Sequence, residues 1–123
     1  MPVDVLIVDD SAAIRKILQR VLAQANLGVG KVYEAADGRE AMDAVKAQPV
    51  GLILSDINMP NMDGLQFLSE LRSHDQWKHV PVLMISTEGS QTKVMEAVQL
   101  GAQGFVRKPF TADQIKEKLA GIL

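Results

Sequence analysis

The sequence predicts an α/β fold in which a parallel sheet of five strands is covered by helices on both faces. Across the 123 residues, five short apolar runs alternate with five segments of helical hydrophobic spacing. Strict alternation of strands and helices is typical of parallel sheets, and strands buried on both faces are apolar throughout. We expect one doubly wound domain spanning residues 1–123, because a chain of this length fits a single core.

The first two units follow the chain in order. Val3–Val8 is predicted to be a buried strand that ends at Asp9 and Asp10. The next helix presents apolar residues with spacings of three, one, three and one, as a buried helical face requires: Ile14, Ile17, Leu18, Val21 and Leu22. A short strand is expected around residues 32–34, and Asp37 with Gly38 separates it from the second helix. The apolar face of that helix comprises Ala41, Met42 and Val45.

The third and fourth units contain the remaining buried strands. Residues 52–54 form the third strand and lead into Ser55 and Asp56, and Gly64 precedes a helix with an apolar face of Leu65, Leu68 and Leu71. Residues 81–85 form the fourth strand, with proline tolerated at its first position. The fourth helix carries Val94, Met95, Val98 and Leu100, and Gly101 is well placed to end it.

The fifth unit closes the fold. Gly104–Arg107 is a short strand, and the last helix is expected to begin near Thr111, a residue type that favours the N-cap. The five units together predict the α/β architecture.

Composition excludes several function classes. The hydrophobic content is 47% and the net charge is −2, which fits a packed core and gives no basic surface for direct nucleic-acid binding. No apolar run is long enough to cross a bilayer, and the N-terminus lacks the features of a signal peptide. The chain has no cysteine, which fits a reducing compartment. We therefore expect a cytoplasmic protein without membrane insertion.

Five polar residues end the apolar runs: Asp9, Asp10, Asp56, Ser86 and Lys108. Ligands of parallel α/β sheets bind beyond the carboxyl ends of the strands, so these side chains are expected to converge. Taken singly, the aspartates and Ser86 fit helix caps, and a lone lysine is usually exposed. Together, three carboxylates would repel one another unless a cation bound them. Oxygen ligands without histidine or cysteine favour Mg²⁺, with Mn²⁺ as a substitute.

The same residues suit a phosphoryl group. Phosphoryl transfer requires neutralisation of the non-bridging oxygens. A cation, the ammonium group of Lys108 and the hydroxyl of Ser86 would each take one of these oxygens. Phosphorylation of an aspartate is therefore the function that this pattern favours.

Four strings of the sequence carry a family resemblance. They are Val8-Asp9-Asp10-Ser11, Ser55-Asp56-Ile57-Asn58-Met59-Pro60-Asn61-Met62-Asp63-Gly64, Pro81-Val82-Leu83-Met84-Ile85-Ser86 and Lys108-Pro109-Phe110-Thr111. On these strings the chain resembles a response regulator receiver domain of the small chemotaxis (CheY-like) type, over essentially its whole length. The resemblance implies the strand order 2-1-3-4-5.

The resemblance also assigns roles at the site. Asp56 would accept a phosphoryl group from a sensor histidine kinase. Asp10 would bind Mg²⁺ directly, Asp9 would act through water, and Asp56 and the main-chain carbonyl of Asn58 would complete the ligands. Ser86 and Lys108 would bind phosphoryl oxygens, and the peptide bond from Lys108 to Pro109 would be cis. The side chains of Asn58 and Glu88 would tune hydrolysis of the phosphoaspartate.

A conformational switch is implied as well. Ser86 would move toward the phosphoryl group, and Phe105 would turn inward into the vacated space. An output protein would then bind the face of helix 4, strand 5 and helix 5. Candidate contact residues on that face are Gln91, Lys93, Phe105, Arg107, Lys116 and Lys118.

The chain departs from the best-known chemotaxis members of the family in three places. Phe105 replaces a tyrosine, Ser11 replaces an aromatic residue, and the lysine pair expected near Ser90 and Gln91 is missing. These departures weaken the expectation that the chain binds a flagellar motor. The output protein is therefore left unidentified.

Two other functions fit the sequence less well. A haloacid-dehalogenase-type phosphatase needs a second aspartate two residues after its nucleophile, and Asn58 occupies that position. A flavodoxin-like electron carrier needs a phosphate loop after the first strand, where Asp9 and Asp10 would repel the phosphate. We expect a phosphoacceptor signalling protein rather than an enzyme, acting as a monomer or weak dimer. A receiver cut from a longer transcription factor or hybrid kinase, or a phosphate sink, stays open, although a free-standing adaptor is favoured because no DNA-binding segment follows.

Overall fold

The computed structural model describes residues 2–87 and 90–122, and within them five strands alternate with five helices. The strands are β1 (Val3–Val8), β2 (Val29–Ala35), β3 (Leu52–Ser55), β4 (Val82–Ser86) and β5 (Gly104–Arg107). The helices are α1 (Ala12–Ala25), α2 (Gly38–Ala47), α3 (Gly64–Arg72), α4 (Gln91–Gln99) and α5 (Ala112–Ile122). The predicted alternation is confirmed.

All strand pairs in the sheet are parallel, and the strand order is β2-β1-β3-β4-β5. The order implied by the resemblance is therefore correct. The predicted second strand was too short. β2 begins at Val29, which pairs with Val3 of β1, and its next two residues, Gly30 and Lys31, are exposed. An edge strand of this kind lacks the continuous apolar run by which the central strands are recognised.

The sheet separates two apolar cores. Residues Leu6, Val8, Ile53, Val82 and Met84 of the central strands pack with α2 and α3 on one side. Their neighbours Val5, Ile7, Leu54, Leu83 and Ile85 pack with α1 and α5 on the other side. Side chains of consecutive strand residues point to opposite faces, so each central strand contributes to both cores. The central strands are therefore held firmly from both sides.

Polar side chains cap the starts of the helices. The caps of α1 and α4 are Ser11 and Ser90, and not Asp9, Asp10 or Ser86. Ser11, Asp37, Asp63 and Ser90 are the N-caps of the first four helices, and each accepts a hydrogen bond from a main-chain amide three residues later. The Thr111 hydroxyl accepts from the Gln114 amide in the same way at 3.1 Å. Gly101 follows α4 with a φ of 96°, a left-handed conformation that glycine adopts without strain.

The predicted apolar face of α4 was wrong in part. Ala97 is the buried residue of this helix, whereas the side chains of Met95 and Val98 are 52% and 59% exposed. Helical spacing identifies an apolar stripe, but it does not show that another element covers the stripe. None of the helices in the described residues has the length and apolar character needed to cross a lipid bilayer.

Candidate functional site

The five predicted site residues lie at the carboxyl ends of neighbouring strands. Val8 pairs with Ser55, and Ser86 pairs with Arg107, so these strand ends are in register. Asp9 and Asp10 follow β1, Asp56 follows β3, Ser86 ends β4 and Lys108 follows β5. We call these five residues the carboxyl edge. The parallel register thus brings residues from distant parts of the chain to one end of the sheet.

Three of these residues form an acidic cluster, defined as Asp9, Asp10 and Asp56. One carboxylate oxygen from each lies within 4.8 Å of the others. Asp9 and Asp56 are buried, with exposures of 1% and 7%, and Asp10 is exposed. Carboxylate oxygens with one ligand open to solvent suit a hydrated Mg²⁺ ion, which keeps several waters. The donor set therefore fits the predicted cation.

Lys108 bridges two members of the acidic cluster. Its Nζ atom lies 2.6 Å from Oδ2 of Asp9 and 2.9 Å from Oδ2 of Asp56. Its main-chain amide donates to the Ser86 carbonyl at 2.9 Å, which ties its backbone to the end of β4. The peptide bond between Lys108 and Pro109 is cis, as the resemblance implied. The ammonium group therefore compensates part of the negative charge at the carboxyl edge.

Burial and pairing act in opposite directions on these groups. Burial raises the pKa of Asp9 by more than the hydrogen bonds from Lys108 and from the Ser11 amide lower it. Burial alone would lower the pKa of Lys108, but hydrogen bonds to Asp9 and Asp56 raise it above its ordinary value. Lys108 is therefore charged at neutral pH, and the ionised form of Asp9 is disfavoured by its surroundings.

The carboxylate of Asp56 is oriented from two directions. The Ile57 amide donates to Oδ1 at 2.6 Å, and Lys108 donates to Oδ2 at 2.9 Å. Asn58, the expected carbonyl ligand, lies on the loop that follows and is exposed. Glu88, its predicted partner in tuning hydrolysis, lies outside the described residues. Two hydrogen bonds thus hold Asp56 within the acidic cluster, and Asn58 follows it two residues later on the loop.

The predicted switch residues occupy adjacent strands. Ser86 is fully buried at the end of β4, and Phe105 is half-buried in β5, where it packs against the core on the α2 and α3 side. Phe105 pairs with Met84 in the sheet, two residues before Ser86. The end of β4 therefore lies beside the strand that carries Phe105.

The predicted output face combines charged residues with apolar ones. On α4, β5 and α5, Gln91, Arg107 and Lys118 are exposed, and Lys93 and Lys116 are half-buried. The exposed side chains of Met95 and Val98 lie on the same helix as Lys93. Helix α4 thus carries two exposed apolar side chains as well as Lys93, which the sequence pattern alone did not show.

Sequence reasoning missed one contact of the loop that follows Asp56. Asn61 Nδ2 donates to Asp37 Oδ2 at 2.8 Å, which joins the loop after Asp56 to the start of α2. In the sequence, Asp37 and Gly38 separate the second strand from the second helix. Aspartate is a preferred N-cap residue, so the capping role of Asp37 was the one signal that the sequence offered. Its second contact spans 24 residues and is not readable from local pattern.

Comparison with known proteins gives matches over nearly the whole chain. The family model of the response regulator receiver domain matches residues 5–120. Chemotaxis protein CheY-3 of Vibrio cholerae is 40% identical over 115 residues, which cover 94% of this chain and 87% of the relative. The solved structure of chemotaxis response regulator CheY4 of Vibrio cholerae is 38% identical, with a TM-score of 0.89 and 100% of both chains covered.

A further solved structure is similar in fold and sequence. It is the CheX-CheY-BeF3-Mg complex from Borrelia burgdorferi, which is 32% identical with a TM-score of 0.91. The match covers 99% of this chain and 90% of that chain. The similarity therefore includes every strand whose end contributes to the carboxyl edge.

Proposed function

Since the chain belongs to the family of response regulator receiver domains, and is a receiver of the CheY type, we propose that Asp56 accepts a phosphoryl group. The observation that carries this proposal is the convergence of the acidic cluster with the ammonium group of Lys108. Two-component signalling supplies such a group from a sensor histidine kinase, and phosphohistidine is the donor that we propose. The chain is then a phosphoacceptor rather than an enzyme that acts on an external substrate.

The transfer itself needs one oriented oxygen atom on Asp56. A carboxylate oxygen attacks the phosphorus of a phosphohistidine whose other ring nitrogen carries a proton. The phosphorus–nitrogen bond breaks, its electron pair stays on the ring, and neutral imidazole leaves. The Ile57 amide holds one oxygen of Asp56 at 2.6 Å, so the plane of the carboxylate is fixed before the reaction. Such positioning is the main contribution that a protein makes to phosphoryl transfer.

Charge neutralisation is the second requirement. A phosphoryl group brings negative charge to a site that already holds three carboxylates and one ammonium group. When bound, Mg²⁺ (or Mn²⁺ as a substitute) supplies positive charge and a coordination position for a phosphoryl oxygen. Asp9, Asp10, Asp56 and the Asn58 carbonyl are the ligands that we propose. Lys108, at 2.9 Å from Asp56, is placed to pair with another phosphoryl oxygen.

The signal would leave the site through β4 and β5. Ser86 is buried at the end of β4 and its hydroxyl would bind a phosphoryl oxygen. Phe105 would respond by turning further into the core against which it already packs. An output protein would bind α4, β5 and α5, where apolar Met95 and Val98 are exposed. The relatives named as chemotaxis proteins favour a chemotaxis pathway, and we propose a cytoplasmic role in it.

A mass measurement tests phosphorylation directly. The full chain is incubated with MgCl₂ and acetyl phosphate, and its intact mass is recorded beside those of Asp56→Asn and Asp43→Asn. Asp43 lies exposed on α2 and serves as the matched control. We expect a labile gain of one phosphoryl group in the wild type and in the control, dependent on MgCl₂ and absent from Asp56→Asn. A gain that persists in Asp56→Asn, or no gain in the wild type, would contradict the proposal.

A further inference from the structure

The loop after Asp56 is attached to the rest of the fold at two places. At its base, the Gly64 amide donates to the Ile57 carbonyl at 2.7 Å. At its tip, the Gly38 amide donates to the Met62 carbonyl at 2.9 Å. Asn58 and its exposed side chain lie between these two attachments. The position of the Asn58 carbonyl is therefore set from the tip as well as from the base.

Asp37 adds a side-chain hydrogen bond at the tip. Its Oδ2 atom accepts from Asn61 Nδ2 at 2.8 Å, and its Oδ1 atom accepts from the Glu40 amide at 2.9 Å. One oxygen thus caps α2 and the other holds the loop. The hydrogen bond from the Glu40 amide, and to a smaller extent the one from Asn61, holds the pKa of Asp37 below its usual value. The acceptor is therefore ionised at neutral pH, which strengthens both hydrogen bonds.

We propose that Asp37 is a positioning residue for cation binding, acting through Asn61 on the loop that carries the Asn58 carbonyl. This inference rests on the proposed function, because it requires a cation at the acidic cluster. Mg²⁺ needs near-ideal ligand geometry, so a loop that moves more freely presents its carbonyl less often in the required place. Hydrogen bonds that orient metal ligands affect affinity even when the residue does not touch the metal.

Two substitutions remove the contact from opposite sides. Asn61→Gly deletes the amide and keeps the left-handed backbone, since Asn61 has a φ of 66° that glycine readily adopts. Asp37→Ser keeps a hydroxyl that can cap α2 and lacks the second oxygen that reaches Asn61. Asn26→Gly is the matched control, because Asn26 is also left-handed, with a φ of 54°, at the opposite end of α1 from the site.

The test measures Mg²⁺ affinity by titration calorimetry of the full chain with MgCl₂ alone. We expect each variant to bind Mg²⁺ about 10-fold more weakly than the wild type, at the lower end of what loss of an outer hydrogen-bond partner costs a metal site. The double variant should lose no more than either single one, because both changes remove the same hydrogen bond. Asn26→Gly should bind as the wild type does. In the metal-free protein, the Gly38 amide should exchange its hydrogen faster in both variants.

Phosphorylation by acetyl phosphate gives a second measurement. The Mg²⁺ concentration for half-maximal rate should rise in both variants, while the rate at saturating Mg²⁺ stays unchanged. Unchanged Mg²⁺ affinity in both variants, or losses that multiply in the double variant, would overturn the positioning role alone. A wild type that binds no Mg²⁺ would overturn the proposed function together with this inference.

Discussion

The Nζ atom of Lys108 lies 2.9 Å from Oδ2 of Asp56, although 52 residues separate the two along the chain. The side chains are 12% and 8% exposed, so the ion pair is largely shielded from water. Lys108 also pairs with Asp9, whose side chain is 2% exposed. Removing one partner of a buried pair leaves an uncompensated charge. The carboxyl edge therefore depends on Lys108 before any phosphoryl group arrives.

Replacement of Lys108 tests this dependence. We expect Lys108→Met to lower the free energy of unfolding by about 2 to 3 kcal/mol at neutral pH without Mg²⁺, because two buried carboxylates lose their counter-charge. Adding MgCl₂ should restore more stability to this variant than to the wild type. Urea unfolding with and without MgCl₂ measures both effects. Lys108→Arg keeps the charge and should lose less; equal losses in the two variants would refute the electrostatic explanation.

The raised pKa of Asp9 predicts a specific pH dependence. The folded state binds a proton at Asp9 more tightly than the unfolded chain, where the pKa is near 3.8. Proton binding at Asp9 therefore stabilises the folded state at low pH. This stabilisation is lost as the pH rises from about 3.8 through the raised pKa of the folded state. Asp9→Asn cannot lose a proton in this way, so we expect the variant to gain stability relative to the wild type as the pH rises above about 4 and through the raised pKa of Asp9.

Urea midpoints measured at several pH values without Mg²⁺ give this comparison. The exposed Asp43→Asn substitution is the control for a change of one charge. A stability difference between Asp9→Asn and the wild type that stays constant over the pH range would be inconsistent with the prediction.

Gly64 is constrained by its contact with the phosphoacceptor segment. A Cβ atom at this position would overlap the main-chain carbonyl oxygen of Asp56. We expect Gly64→Ala to lower the free energy of unfolding by about 2 kcal/mol or more, since main-chain atoms must shift to admit the methyl group. Circular dichroism during urea unfolding measures the loss. At Gly121 in α5 a Cβ would meet no atom within 4 Å, so Gly121→Ala should be stabilising by roughly 0.5 kcal/mol. A Gly64→Ala variant as stable as Gly121→Ala would contradict the steric argument.

Arg72 connects the end of α3 with the turn after α4. Its Nη2 atom donates to the Gly101 carbonyl at 2.9 Å, and its Nη1 atom donates to the Trp77 carbonyl at 3.4 Å. We expect Arg72→Met to lower the free energy of unfolding by about 1.5 to 3 kcal/mol, because hydrogen bonds from a charged group are lost and two partly buried carbonyls keep no donor from this side chain.

Fluorescence of Trp77, the single tryptophan of the chain, should also change in the folded state of this variant. Urea unfolding followed by fluorescence and circular dichroism measures both effects. Lys16→Met, at an exposed position on α1, is the control and should stay within about 0.5 kcal/mol of the wild type. An Arg72→Met variant that matches this control would show that the contacts contribute little.

Most of the fold was predictable because its signals are local. Buried parallel strands are apolar throughout, so β1, β3 and β4 could be predicted from their apolar runs. The predicted site residues are the polar residues at which the runs end. The edge strand β2 was underestimated because its exposed residues resemble a loop. Met95 and Val98 were assigned to a packed helix face, and the coverage of that face depends on tertiary contacts that periodicity does not encode. The contact between Asp37 and Asn61 was invisible for the same reason.

The separation of the two cores by the sheet has a practical consequence for spectroscopy. Phe105 packs with the core that contains Ile53 and Met84, whereas Leu54 and Ile85 belong to the core on the opposite side. Methyl resonances of Ile53 and Met84 should therefore respond when the proposed switch turns Phe105, while those of Leu54 and Ile85 change less. Neighbouring residues of one strand thus provide an indicator and an internal reference within a single labelled sample.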